Sequence, residues 1–385
     1  MVKNSWKRDR KKIKMSELVK TQGGVPMNYT FHLTEKCNLN CTYCYEGEKG
    51  TGELSLDEIK VVLDREAKSG SERCQITFFG GEPLLKKELI YEVVDYAKQL
   101  EKENDIKFTY SITTNGTLID REFIKVAKKN DFLVGLSLDG GEEVHNRNRK
   151  TYSGDGMFNV VSEQARELLK QVTKVVAMPV VTKNNYREMR ESAEYLFQLG
   201  FKYVNMAFDY TAPWTDEDMP ILRQEYDRLA ELYYEKTKNN NEFYLLPFED
   251  KINTHIKQTN CGDKCLIAVK HVNVGCDGNF YPCMQFVGKP EYVVGDIENG
   301  LDETKKSQLQ KYIWENGVEI CENCKIRKRC RHSCGCLNII TTGDVAKTSP
   351  LICETERMLV EISDKLAERL YKEGFRAFYT KKYFW

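Results

Sequence analysis

From Met27 to about Tyr210 the chain switches repeatedly between two hydrophobic periods. Runs rich in β-branched and aromatic residues read as strands: Asn28–Thr34, Gln75–Phe79, Lys107–Thr113, Phe132–Leu138, Val172–Val181 and Tyr203–Phe208. Between them, apolar residues recur every three or four positions, as on a helix face. Ile59, Val62 and Leu63 follow a capping box, Ser55 to Glu58. Ile90, Val93, Val94 and Ala97 mark a second helix, and Phe123, Val126 and Ala127 a third. Such alternation predicts an α/β fold with a parallel sheet and helices outside it. Beyond Ala212-Pro213-Trp214 the rhythm stops. Residues 213–260 read as a helical bridge with Leu222, Tyr226, Leu229 and Tyr233 on one packing face, then a polar stretch to Glu242. From Glu354 onward Leu359, Ile362, Leu366 and Leu370 return to helical spacing, with Gly374 as a C-cap and an aromatic tail to Trp385. Residues 1–26 form a basic arm without an apolar period.

The 385 residues carry 58 Lys+Arg and 58 Asp+Glu, so the net charge is zero. That balance points to neither nucleic acid nor an anionic membrane surface. No apolar run is long enough to span a bilayer, and the N-terminus lacks the apolar core of a secretion signal. Fourteen cysteines in such a chain imply a reducing cytoplasm, with thiols used for metals rather than disulfides.

Three of them lie within eight residues, Cys37-Asn-Leu-Asn-Cys41-Thr-Tyr-Cys44, on a loop just after the first strand. A disulfide would leave an odd thiol. Zinc would need a fourth ligand, which Tyr45, Glu46 and Gly47 do not supply. Three thiolates on a four-iron cluster leave one iron open to a small molecule. This CxxxCxxC run resembles that of the radical S-adenosylmethionine (SAM) superfamily, whose fold is a partial (β/α)6 barrel. The resemblance implies that Cys37, Cys41 and Cys44 hold the cluster whose open iron chelates SAM. It also implies that Tyr43 lies at the cofactor and that Gly80-Gly81-Glu82-Pro83, after the second strand, holds the SAM amino group. The glycines would let a ligand approach the backbone. Thr113-Thr-Asn115-Gly-Thr117 likewise resembles a signature near the cofactor. In Ser137-Leu-Asp-Gly140, followed by His145 and Arg149, the resemblance sets Ser137 at the ribose and Arg149 at the SAM carboxylate, with Arg147 the alternative. His145 reads as a structural histidine.

Cysteines return at 261, 265, 276, 283, 321, 324, 330, 334, 336 and 353. Cys265-x12-Gly278-x4-Cys283, Cys321-x2-Cys324-x5-Cys330-x3-Cys334 and Cys353 resemble the seven-cysteine SPASM pattern of peptide-modifying radical SAM enzymes, with Asp277-Gly278 as a hairpin turn. Such domains carry two auxiliary [4Fe-4S] clusters, making three in all with the SAM-binding one. The resemblance assigns Cys265, Cys283 and Cys334 to the first and Cys321, Cys324, Cys330 and Cys353 to the second. For the fourth ligand of the first, Cys261 is preferred over Cys276; with neither, that cluster has an open iron for a substrate thiolate. Cys74 and Cys336 read as spare.

These features imply five regions: a basic arm (1–26), a radical SAM barrel (27–212), the bridge (213–260), a SPASM domain (261–353) and a C-terminal helix with its tail (354–385). They imply a cytoplasmic maturase that takes a hydrogen from a peptide or protein substrate. The expected product is a thioether cross-link from a cysteine in a ribosomally made peptide. An anaerobic sulfatase maturase making formylglycine is the first alternative, disfavoured because Met284 stands where that family has an aspartate base. A carbon–carbon cross-linking or epimerising maturase is the second. A reductant such as flavodoxin or ferredoxin is expected, and either a separate peptide-recognition protein or the barrel mouth and bridge recruit the substrate.

Overall fold

The computed structural model describes residues 27–47, 49–239, 242–257, 271–315, 321–332 and 334–375. The expected basic arm, Cys261, Cys265 and most of the aromatic tail lie outside these residues.

The six expected strands are present and parallel. β1 (Asn28–His32), β2 (Arg73–Phe79), β3 (Lys107–Thr114), β4 (Leu133–Leu136) and β5 (Val175–Ala177) pair in chain order. The fifth strand is interrupted: Pro179 has no N–H to donate to a ladder, and Val180–Val181 (β6) leaves the main sheet. The sixth divides likewise into β7 (Tyr203–Asn205), beside β5, and β8 (Ala207–Phe208), which pairs with β6. Both sheet edges are extended. The bridge is not wholly helical: Tyr244–Leu246 forms β9, parallel to β7. At the other edge β10 (His271–Val274) runs parallel to β1, and β11 (Phe280–Tyr281) folds back on it through the expected Asp277-Gly278 turn, with Gly278 at φ +76°. The cysteine-rich region therefore begins inside the barrel's own sheet.

The helices follow the apolar spacing. α1 (Leu56–Ala67), opened by the Ser55/Glu58 capping box, buries Ile59, Val62 and Leu63. α2 (Lys87–Glu103) buries Ile90, Val93, Val94 and Ala97. α3 (Arg121–Lys129) buries Phe123, Ile124 and Ala127; Val126, expected in that stripe, is only half-buried. Then come α4 (Glu142–Asn148), α5 (Phe158–Leu169), α6 (Met189–Leu199), α7 (Asp218–Lys238), α8 (Phe248–Lys257), α9 (Glu303–Glu315), α10 (Gly335–Thr342) and α11 (Pro350–Lys372). α7 turns its Leu222, Tyr226, Leu229 and Tyr233 face into the core. α11 starts four residues before the expected point, because Ser349 caps it and Pro350 suits a first turn. It packs on α7 and α8 and buries Leu359, Ile362, Leu366 and Leu370 in the barrel's main core. A smaller core around Tyr281, Phe286, Ile313 and Val345 supports the cysteine-rich region. Among the described residues no helix is long and apolar enough to cross a membrane.

Candidate active site

The loop after β1 is held from three sides. From β2, the Gly81 amide donates to Thr34 O at 2.8 Å and the Glu82 amide to Lys36 O at 2.9 Å. This contact explains the two glycines. Gly80 has φ +129°, and a Cβ at either position would overlap a carbonyl oxygen, of Thr34 or Lys36. They permit the close approach of the cysteine loop, and both also line the cavity in front of it. From β3, Asn115 Nδ2 donates to Asn38 Oδ1 at 2.9 Å and lies 3.8 Å from Cys37 Sγ. From beyond β4, Thr42 is held by the Asn148 carbonyl and side chain, at 3.0 and 2.9 Å.

These contacts gather Cys37, Cys41, Cys44, Tyr43, Gly80, Gly81, Glu82, Asn115, Ser137 and Arg149 around one cavity of about 340 Å³. It lies at the carboxyl ends of the strands, where parallel sheets collect their chemistry. Glu82 is buried, and its carboxylate accepts from Thr114 Oγ1 (2.7 Å), the Asn115 amide (2.7 Å) and the Leu84 amide (3.0 Å). All three donors are neutral, and burial pushes this carboxyl up to about 7. Arg149 donates to Asp139 Oδ1 at 3.1 Å and stacks over Tyr43 with its guanidinium carbon 5.2 Å from the ring centre. Tyr43 OH donates to the other oxygen of Asp139 at 2.7 Å. The Arg149 Nε is buried without a partner, a spare donor that suits a carboxylate ligand. Arg147 instead pairs with Glu188 at 2.9 Å, outside the cavity. His145 is fully buried beside the Asp139 amide, and burial with the nearby Arg149 charge lowers it to about 4, so it is neutral.

Among the described residues, no three His, Cys, Asp or Glu side chains are close enough to hold one metal ion. The three loop thiols instead face a shared space, as a polynuclear cluster requires and a zinc ion does not. Burial pushes Cys37 up to about 11; thiolates form at such a site when the metal displaces their protons. Lys49, which the motifs did not single out, donates to Cys44 Sγ at 2.9 Å and pairs with Glu46 at 2.8 Å.

A second cavity of about 640 Å³ fills the barrel interior. Thr113, Ala207, Phe208, Tyr210, Gln285 and Leu337 line both it and the first. Its walls are mostly apolar, but Arg331 and Asp250 face it 3.7 Å apart, with about half of each side chain exposed to the space. The nearby Glu356 is neutralised by Lys251 at 2.6 Å, both fully buried.

In the cysteine-rich region, Cys321, Cys324, Cys330 and Cys353 line one small cavity of about 50 Å³ with His332. Cys283 and Cys334 come together elsewhere, and Cys336, expected to be spare, lies with them at 3.2 Å from Cys334 Sγ. Cys276 stands apart: its thiol donates to His32 O at 2.9 Å.

Residues 31–213 match the profile of the Radical SAM superfamily. A cysteine-type anaerobic sulfatase-maturating enzyme of Clostridium perfringens is 29% identical over 319 residues, covering 77% of this chain and 85% of that protein. The antilisterial bacteriocin subtilosin biosynthesis protein AlbA of Bacillus subtilis is 27% identical over 331 residues, 81% of this chain and 66% of its own. Among solved structures, native anSMEcpe with bound AdoMet and Kp18Cys peptide superposes with a TM-score of 0.76 at 25% identity, over 90% of this chain and 99% of that one.

Proposed function

Because this chain belongs to the radical SAM superfamily, we propose that it is a SAM- and iron–sulfur-dependent maturase that oxidises a side chain of a peptide or protein held in the barrel interior. When bound, SAM and the clusters supply a 5′-deoxyadenosyl radical to take a hydrogen and an acceptor for the second electron. The chain's own residues supply place and surroundings. Cys37, Cys41 and Cys44 are the ligands of the SAM-binding cluster. Glu82, Asn115, Ser137 and the Tyr43–Asp139–Arg149 group shape the SAM cradle. Cys321, Cys324, Cys330 and Cys353 hold a second cluster. Phe208 and Leu337 keep the shared wall apolar, which limits water at the reacting carbon.

The observation that carries this reading is that the two cavities adjoin, with six residues lining both. A substrate held in the larger chamber is thereby a direct neighbour of the SAM cavity. That relatives of this chain include structures solved with a bound peptide supports a peptide as partner.

A thioether from cysteine is the product we favour. Met284, which follows Cys283, is neutral and 37% exposed, so it offers no carboxylate to take a thiol proton. Formylglycine is the second reading, favoured by the likeness to the sulfatase-maturating enzyme over 85% of that protein's length. The test is anaerobic incubation of reconstituted enzyme, SAM and reductant with a cysteine-containing peptide, followed by thiol alkylation and mass analysis. Loss of two hydrogens together with one alkylation site is expected for the thioether. Replacement of sulfur by oxygen together with loss of two hydrogens would instead establish formylglycine. Loss of two hydrogens with every thiol alkylated would establish a carbon–carbon link or a dehydrogenation.

A further inference from the structure

Three cavities meet at one side chain. The SAM cavity adjoins the chamber on one side and, at Thr211, Met284 and Ile340, a third cavity of about 670 Å³ on the other. Glu35, Gly50 and Gly288 on the wall of the third cavity are exposed, so it is the outer of the three. Among the described residues, Gln285 alone lines all three cavities.

The chain fixes this position closely. Gln285 sits in a single helical turn, Met284–Phe286, soon after β11. The Phe286 amide donates to Cys283 O at 3.0 Å. The Phe286 ring is fully buried and packs on Tyr292, with ring centres 4.5 Å apart. The half-buried Gln285 side chain is left out of this scheme. It caps nothing in its own turn, and among the described residues it has no hydrogen-bond partner. Its neighbours on the cavity walls include the apolar Phe208, Met284, Leu337 and Ile340. A carboxamide in such surroundings loses stability unless a partner reaches it. It carries two N–H donors and a carbonyl acceptor side by side. A backbone peptide group, with one donor and one acceptor and no charge, is the complement of that set.

We propose that Gln285 is a substrate-binding residue: its side-chain amide hydrogen-bonds a backbone peptide group of a substrate that lies across the outer cavity and the chamber, and so turns the neighbouring side chain toward the SAM cavity. The proposal rests on the peptide-maturase reading and adds to it the group that places the reacting carbon. Because the contact is to backbone, it sets where the substrate stands without selecting the side chains on either side. Those are left to the chamber and to the outer cavity.

The experiment uses the full chain, reconstituted anaerobically with SAM, and a fluorescein-labelled cysteine-containing peptide whose binding is read by anisotropy. Gln285→Ala and the similarly sized Gln285→Leu are each expected to weaken peptide binding about tenfold. Both should also raise the deoxyadenosine formed per modified peptide, with iron content and SAM affinity unchanged. Esters are then put in place of the peptide's backbone amides, one at a time. One position is expected to weaken binding to the wild-type enzyme by a similar factor and to cost the two variants nothing further. Peptide affinity and coupling within twofold of wild type in both variants, or no ester with that dependence, would overturn the proposal. Loss of iron or of SAM affinity in both variants would overturn it too, by making Gln285 a structural residue. Binding that obeys the ester test, with the peptide never modified, would support the Gln285 contact and overturn the maturase reading instead.

Discussion

Asp139 joins four parts of the site at single-residue scale. It accepts from Arg149, from Tyr43 OH and from the Val180 amide, and its own amide meets His145. Removing it leaves a buried guanidinium uncompensated. Asp139→Ala is expected to destabilise the fold by about 3–5 kcal/mol, measurable as a lowered midpoint in denaturant. Arg149→Ala should weaken SAM binding at least tenfold in equilibrium dialysis, because the unpaired Nε and the Tyr43 stack are lost together. Arg147→Ala should leave the affinity within twofold, since its partner Glu188 lies outside the cavity. Two arginines two residues apart thus have different expected roles, and the motif alone left both open. Asp139 was legible only as part of a motif. Its partners Tyr43 and Val180 are 96 and 41 residues away in the chain, and no local pattern carries such contacts.

At the scale of elements, the end of β2 and the cysteine loop act as one unit, because two glycines let their backbones touch. Gly81→Ala drives a Cβ into the Lys36 carbonyl. The expected result is loss of about one four-iron cluster per chain, with the circular dichroism of the barrel unchanged. α8 and α11 are joined differently, by the buried Lys251–Glu356 pair, in which Lys251 also donates to Arg329 O at 2.9 Å. Lys251→Ala leaves that carboxylate with the Arg331 amide but without its charge partner and should cost about 3–5 kcal/mol in thermal or denaturant unfolding. The long amphipathic helices were legible in the sequence because one buried stripe sets their period. The short strands were less so. Val180–Val181 leaves the fifth strand at a proline, and Tyr244–Leu246 is too brief for an alternation to register, so β9 was concealed within an apparently helical bridge.

For the whole molecule, the placing of the cysteine-rich region matters most. Its hairpin extends the barrel's sheet at β1, and Gln285 and Leu337 become part of the wall between SAM cavity and chamber. Cysteine spacing foretold such a region but could not orient it. Arg331, on the same side, is a chamber cation whose pairing with Asp250 is loose at 3.7 Å. Arg331→Gln is expected to raise the KM for a peptide substrate more than tenfold while SAM affinity is unchanged, as measured in steady-state assays and dialysis. The account's central claim is that a substrate carbon in the chamber gives its hydrogen to SAM-derived deoxyadenosyl. The most direct measurement is the mass of 5′-deoxyadenosine formed with a peptide deuterated at all of its carbon-bound positions. The account predicts deuterium in the deoxyadenosine, and no deoxyadenosine from the Cys37→Ala, Cys41→Ala, Cys44→Ala variant. Modified peptide accompanied by unlabelled deoxyadenosine, or cleavage by the triple variant, would contradict it.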